Sequence, residues 1–526
     1  LDLPAACARA MTLASRPLKF TLTGPHMLAK TLADPHYGSP DKVAMAIAGV
    51  LAEQVESCDA SVVQLDEANL PGNPDEWEWA AEAINLVLDQ VKGTAAVHLC
   101  FGNYGGQRIQ GGSWNKLMDY LNALHVDHIV MECCNRPEQG VCRDLWRQHN
   151  SLTRTRVPIY TRAFAWREVP QSACSCEDPL LRSYENQLRQ KLYWVSCEDD
   201  SIFEPWLVLG ASRPTPPGGA WGVPIRWIAS DDPRGARQMD PSIKLPEDAD
   251  RMVATVHAVD EEATQANLER LQEAVGDLIA IAVDRSPRYS VWEADISTRL
   301  AQLRGLDQVM WDMMDRPDWL HGVVTFMRDA ILAAHEAAEA AGDWQLSNHQ
   351  NQAMSYAEEL DDPSPIDMPV SRGDLWCFCA SQEFAMVGPE LFQEFILQYQ
   401  ASIFKHFGLV AYGCCEDLGM IIPLLKNYPN IRRIAVSPMA DVATCAEQIG
   451  TDYVLSYRPS PADMVSYDFN PERIRRILRR DLEICKANDA YVDITLKDVE
   501  TVGGDPTRVP RWVQITREVI DEVYGA

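Results

Sequence analysis

The stretch Ala95-Ala96-Val97-His98-Leu99-Cys100, with its sequel His128-Ile129-Val130-Met131-Glu132, decides how the chain is expected to fold. Alternate side chains of a strand share a face, so His98 and Cys100 point the same way at the end of a small apolar run. About one helix later, Glu132 closes the next apolar run. Folds that alternate strands and helices keep their chemistry at the carboxyl ends of the strands, and there an imidazole, a thiolate and a carboxylate arrive at one rim. This N/S/O set suits Zn²⁺ and leaves one position for a further thiolate or a substrate. Taken alone, His-x-Cys also reads as a packed histidine beside a buried thiol.

Outward from this stretch the alternation continues. Strands are expected at 18–23 and 61–65, the first ending in Gly24-Pro25 and the second in Asp66-Glu67. Helices are expected at 41–57, 75–91 and 113–124. Four strands with three helices make half of a (β/α)8 barrel. Asp66 and Glu67 place two adjacent carboxylates at the catalytic rim, either for chemistry or as caps for the next segment.

Thr21-Leu22-Thr23-Gly24-Pro25, Gln64-Leu65-Asp66-Glu67-Ala68, His98-Leu99-Cys100-Phe101-Gly102-Asn103-Tyr104 and Val130-Met131-Glu132 occur in an order and spacing that resembles the C-terminal catalytic barrel of cobalamin-independent methionine synthase, over about residues 10–138. The resemblance implies zinc held by His98, Cys100 and Glu132, with Asp66 on the substrate amino group, and methyl transfer to the zinc-bound thiolate of homocysteine. The family continues with two further strands and a second cysteine ligand, and this chain does not. Cys133, Cys134 or a thiol from the second half would have to supply that ligand. The half-barrel left over has sheet edges that need covering.

Texture changes near 135–142, so we expect a domain at 1–139 and a second, complete (β/α)8 barrel with insertions at 140–526. The Pro-, Gly- and Asp-rich segment 205–246 reads as a loop or small-sheet insertion. Helical periodicity covers 261–275, 295–316 and 321–341. After Gly373, strands at 374–379, 409–412, 431–436, 453–455 and 491–496 alternate with helices. Tyr412-Gly413-Cys414-Cys415-Glu416-Asp417 follows one of these strands, where Cys414 and Glu416 would act as a soft-metal ligand or as nucleophile and acid. Adjacent strand residues face opposite ways, so the two thiols are not expected to chelate one ion. Lys497-Asp498 closes the last strand, as an anion site or an ion pair.

Trp146-Arg147-Gln148-His149-Asn150, Phe203-Glu204-Pro205-Trp206, Ala380-Ser381-Gln382-Glu383-Phe384, the Gly-Cys-Cys-Glu segment and Arg433-Ile434-Ala435-Val436-Ser437-Pro438 make residues 141–526 similar to the uroporphyrinogen decarboxylase superfamily, which includes zinc-dependent, corrinoid-linked methyltransferases. In those methyltransferases a His-x-Cys pair binds the metal, and Tyr412-Gly413-Cys414 stands in its place.

Both halves point to methyl transfer by a zinc enzyme, with a small-molecule substrate and, in the corrinoid branch, a corrinoid protein as partner. A carboxy-lyase acting on a porphyrinogen-like polycarboxylate is the second reading, and a non-catalytic fusion carrying a relic N-terminal domain is the third. With 47 basic against 76 acidic residues, the net charge of −29 repels nucleic acid and anionic lipid. No apolar run reaches the roughly 18 residues that span a bilayer. Fifteen cysteines without a dense regular spacing read as reduced thiols in a cytoplasmic enzyme. A homo-oligomer is compatible with all of this and specified by none of it.

Overall fold

The computed structural model describes residues 2–14, 16–100, 103–104, 107–108, 117–131, 137–162, 165–214, 216–231, 237–276, 278–289 and 292–525. The chain divides into two compact units, Leu1–Arg136 and Pro137–Ala526, and each is α/β with parallel strands.

In the first unit, β1 (Lys19–Thr23), β2 (Val62–Glu67), β3 (Thr94–Leu99) and β4 (His128–Met131) form a parallel sheet in that order. Helices α1 (Leu3–Leu13), α2 (Pro25–Thr31), α3 (Pro40–Val55), α4 (Trp77–Leu88) and α5 (Met118–Ala123) connect and flank them. Pro40 suits the first turn of α3, where its missing N–H costs nothing. That helix buries Val43, Ala44, Ala48, Leu51, Ala52 and Val55, a stripe at helical spacing. Its alanines let it approach α4, which buries Ala80, Ala81, Ala83 and Ile84. Two helices were not expected. The Asp2 side chain accepts from the amide of Ala5 and starts α1, and Pro25, read as a strand stop, also begins α2. In register, Thr23, Asp66, His98 and Val130 lie side by side across the sheet.

The second unit carries more strands than expected. A six-stranded parallel ladder runs β8 (Trp376–Cys379), β9 (Leu409–Tyr412), β10 (Ile431–Val436), β11 (Val454–Tyr457), β12 (Tyr491–Lys497), β5 (Ile159–Arg162), and a two-stranded parallel ladder pairs β7 (Ala280–Asp284) with β6 (Trp206–Gly210). The segment read as an insertion from 205 therefore opens with a strand. Trp206, Leu207 and Leu209 are buried in it, and beyond Gly210 the expected small sheet is present as an antiparallel pair, Arg226–Ile228 with Gln238–Asp240. Gly305 divides the expected helix 295–316 into Ser297–Arg304 and Leu306–Asp315. No helix among the described residues is long and apolar enough to cross a membrane.

A buried polar cluster joins the third residues of three of these strands. Arg433 of β10 pairs with Asp493 of β12 at 2.9 Å, and neither side chain is more than 2% exposed. Ser456 of β11 lies between them, accepting from Arg433 at 3.2 Å and donating to Asp493 at 3.0 Å. The helix Pro137–Asn150 adds His149, 3.2 Å from Asp493, and Asn150, whose oxygen accepts from Arg433 at 2.7 Å. Burial alone would raise the Asp493 pKa, but Arg433, His149 and Ser456 outweigh it and hold the carboxyl below its usual range. Burial likewise lowers His149, which stays neutral. Arg433→Leu would leave Asp493 buried without its cationic partner. We predict a loss of about 3–5 kcal/mol in urea unfolding of the second unit, the usual penalty for removing one partner of a buried pair.

Candidate functional site

At the carboxyl ends of β2 and β3 the first unit brings together Asp66, His98 and Cys100. His98 Nδ1 is 3.3 Å from Asp66 Oδ1, and both side chains are about one-third exposed, at 32% and 38%. Gln64 donates to the same oxygen at 2.8 Å and accepts from Lys19 Nζ at 2.9 Å, so a polar chain holds the Asp66 carboxylate in place. A hydrogen bond with Cys100, helped by the charges of Cys100 and Asp66, raises the His98 pKa against the opposing effect of burial. Cys100 is half-buried. Glu132, Cys133 and Cys134 lie outside the described residues, and among the described residues no group of three or more His, Cys, Asp and Glu is arranged to hold a metal ion. The donors His98 and Cys100 still match zinc in chemistry, an imidazole and a thiolate two residues apart.

Glu67 occupies a different environment from its neighbour. It is 1% exposed, and its two oxygens accept from the backbone amides of His26 and Met27 at 3.0 Å each, the first turn of α2. The pairing explains Gly24: a Cβ there would sit 2.1 Å from Glu67 Oε1. His26, which the sequence reading passed over, is buried against Glu67 and reaches Glu76 at 2.8 Å.

In the second unit, Glu416 is likewise engaged by backbone. Its Oε1 accepts from the amide of Ser381 at 2.9 Å and its Oε2 from the amide of Cys414 at 2.7 Å, so it ties the ends of β8 and β9 together. Gly413 makes the turn that follows β9. Its φ is +99°, and a Cβ there would meet Leu418 Cδ1 at 2.5 Å and Ala435 Cβ at 3.1 Å, so only glycine fits. Cys414 and Cys415 lie past the end of β9, where strand alternation no longer separates them, and their sulfurs are 3.7 Å apart. Cys414 is buried and Cys415 exposed.

Lys497 Nζ sits 3.3 Å from the Cys414 sulfur and 3.1 Å from the Cys415 sulfur, and it pairs with Asp498 at 2.6 Å. Arg458 donates to the Cys414 carbonyl at 2.9 Å. The hydrogen bond from Cys415, with the Arg458 and Lys497 charges, holds the Cys414 thiol below its usual range despite burial, and the second proton of the pair is correspondingly hard to remove. Other buried thiols go the opposite way: Cys445 and Cys485 are pushed up to about 12 by desolvation.

Two features set this neighbourhood apart from the His-x-Cys pair of the first unit. An ammonium group borders both sulfurs, and Tyr412, in the place of the histidine of the superfamily's His-x-Cys pair, is buried with its hydroxyl bonded to Gln400 at 2.9 Å and Ser381 at 3.1 Å. Lys497 and Arg458 each follow or end a strand, which was the available signal, but nothing in the sequence links them to a cysteine more than forty residues away. His349 accepts from the amide of Trp376 at 3.2 Å, and burial pushes it down to about 4.

No family model matches the chain. The methionine synthase of Thermococcus kodakarensis is 30% identical over 122 residues, 23% of this chain and 33% of that protein, and the methionine synthase of Sulfurisphaera tokodaii is 30% identical over 121 residues, 22% and 33%. The chain thus spans about a third of the length of the curated relatives it matches. Among solved structures, a B12-independent methionine synthase from Shewanella in complex with selenomethionine is 22% identical over 27% of this chain and 45% of that one, with a TM-score of 0.23. A methyltransferase from Methanosarcina mazei is 11% identical over 73% and 99%, with a TM-score of 0.42. The resemblance to methionine synthase read from the motifs is met by the two partial matches to the Thermococcus and Sulfurisphaera proteins.

Glu416→Ala removes an acceptor from two amides at once. We predict a loss of about 2–4 kcal/mol in denaturant unfolding, from two unpaired N–H groups, and a Cys414 thiol whose rate of alkylation by iodoacetamide changes with it.

Proposed function

We propose that the chain is a methyltransferase that moves a methyl group to or from a thiol acceptor, with zinc held by His98, Cys100 and Glu132 of the first unit. The observation that carries this reading is the meeting of Asp66, His98 and Cys100 at adjacent strand ends, 3.3 Å apart at the Asp66–His98 contact, in a chain partly similar to methionine synthases. Glu132 lies two residues beyond Val130, the register partner of His98. When bound, zinc would hold an acceptor thiol as thiolate at neutral pH.

The roles of the protein groups follow from their contacts. His98, with Nδ1 on Asp66, offers Nε2 as its other nitrogen, and the carboxylate fixes the ring and its tautomer. Both contacts to Asp66 fall on Oδ1, which leaves Oδ2 to orient a substrate ammonium. Glu67 acts at one remove: it anchors α2 and so fixes the backbone beside Asp66. The second unit is read as a (β/α)8 barrel, since its parallel strands follow one another in chain order across the two ladders. A folate or a methylcorrinoid, the latter carried by a corrinoid protein, supplies the methyl group in this reading.

The carboxy-lyase reading requires cations aimed at substrate acids. Lys497 and Arg458 are instead engaged with two sulfurs, a carboxylate and a carbonyl.

Cys100→Ala is predicted to abolish stoichiometric zinc in elemental analysis of the purified chain. It should also lower homocysteine-dependent methyl transfer from a methylated folate or methylcobalamin by more than about a hundredfold. Unchanged zinc and unchanged transfer in the variant would remove the site from the first unit.

A further inference from the structure

We propose that Cys414 and Cys415 form a peroxide-sensitive vicinal dithiol, in which the Cys414 sulfur beside Lys497 attacks a hydroperoxide and Cys415 then closes a Cys414–Cys415 disulfide. Four observations meet at this point of the second unit. The two sulfurs are 3.7 Å apart, so bond formation needs a local shift and no refolding. A single ammonium, Lys497 Nζ, stands within 3.3 Å of both. Cys415 is exposed and its neighbour Cys414 is buried, so one sulfur of the pair is open to solvent and the other is sheltered. The backbone on each side is held in the left-handed region, at Gly413 (φ +99°) and at Asp498 (φ +58°). A non-glycine residue there is costly, and such strain collects where geometry is under functional constraint.

The chemistry balances with hydrogen peroxide as the named oxidant. Lone-pair attack by the Cys414 thiolate on a peroxide oxygen forms an S–O bond and breaks the O–O bond, and the leaving hydroxide takes a proton from the Lys497 ammonium to give water. Lys497 is reprotonated from solvent. The Cys415 thiol then attacks the sulfenic sulfur, the S–S bond forms, the S–O bond breaks, and a second water leaves carrying the Cys415 proton. Two electrons pass from the sulfur pair to peroxide. The lowered Cys414 pKa supplies the thiolate for the first step at neutral pH.

Adjacent Cα atoms are about 3.8 Å apart, shorter than the usual separation across a disulfide, so the product is strained and easily reduced. A dithiol reductant therefore reopens it, as expected for a labile, reversible bond.

The test treats the native full chain with limiting hydrogen peroxide, blocks the remaining thiols and maps the peptides by mass. The expected product is one peptide lighter by two hydrogens with Cys414 and Cys415 unblocked, restored by dithiothreitol, while Cys377, Cys379 and Cys485 remain reduced. In Cys415→Ser the sulfenic acid should persist and be captured by dimedone at Cys414. Lys497→Met should slow the reaction about tenfold, with partial rescue by Lys497→Arg. The proposal fails if Cys414 oxidises no faster than Cys174 of the same unit, if the first disulfide joins other cysteines, or if Lys497→Met folds and reacts at the wild-type rate. Should Lys497→Met not fold, the comparison of Cys414 with Cys174 in the wild type decides alone.

Discussion

The buried pair between Arg433 and Asp493 is the constraint on which the second unit depends. A parallel sheet covered on both faces has little room for charge, and an isolated ion there would be prohibitive. Here the cost is offset locally, because Ser456, His149 and Asn150 complete the hydrogen bonds that the two charged groups require. The cluster binds β10, β11 and β12 to the helix that precedes β5. Its position short of each strand's last residue also matters: it leaves the carboxyl ends to groups with another task. Lys497, four residues after Asp493 on the same strand, reaches the thiols of Cys414 and Cys415. Stability and reactivity are thus separated along single strands, as is usual where strands and helices alternate.

How much of this was legible in the sequence depended on how local the signal was. The strands of the first unit and the last five of the second showed as apolar runs bounded by Gly, Pro or Asp, and the structure places them within a few residues of expectation. Ile159–Arg162 and Ala280–Asp284 are short and end in charged residues, and Trp206–Gly210 leads directly into a proline-rich loop, so composition averaged over the surrounding segment concealed all three. The break at Gly305 was hidden for a different reason: helical periodicity on both sides continued through it.

Site residues divided in the same way. Strand parity was enough to place His98 and Cys100 together, and the preceding strand supplied Asp66 in register. Carboxylates were harder. Glu67 ends a strand and Glu416 follows one, just as a catalytic acid would, yet each spends both oxygens on backbone amides. No pattern within the chain distinguishes those outcomes, because the amides of His26, Met27 and Ser381 belong to segments remote in sequence and only that of Cys414 is local. Cys414 posed the converse problem. Two adjacent cysteines suggested a ligand or a buried thiol, whereas a lysine more than eighty residues later makes the pair a charge-stabilised dithiol.

The central claim is that metal chemistry belongs to the first unit and thiolate chemistry without a metal to the second. X-ray absorption at the zinc edge of the zinc-loaded full chain tests it most directly, compared among wild type, Cys100→Ser and Cys414→Ser. The account predicts a sulfur scatterer on zinc that disappears in Cys100→Ser and persists in Cys414→Ser. A sulfur shell lost on Cys414→Ser and retained in Cys100→Ser would contradict it and move the metal to the second unit.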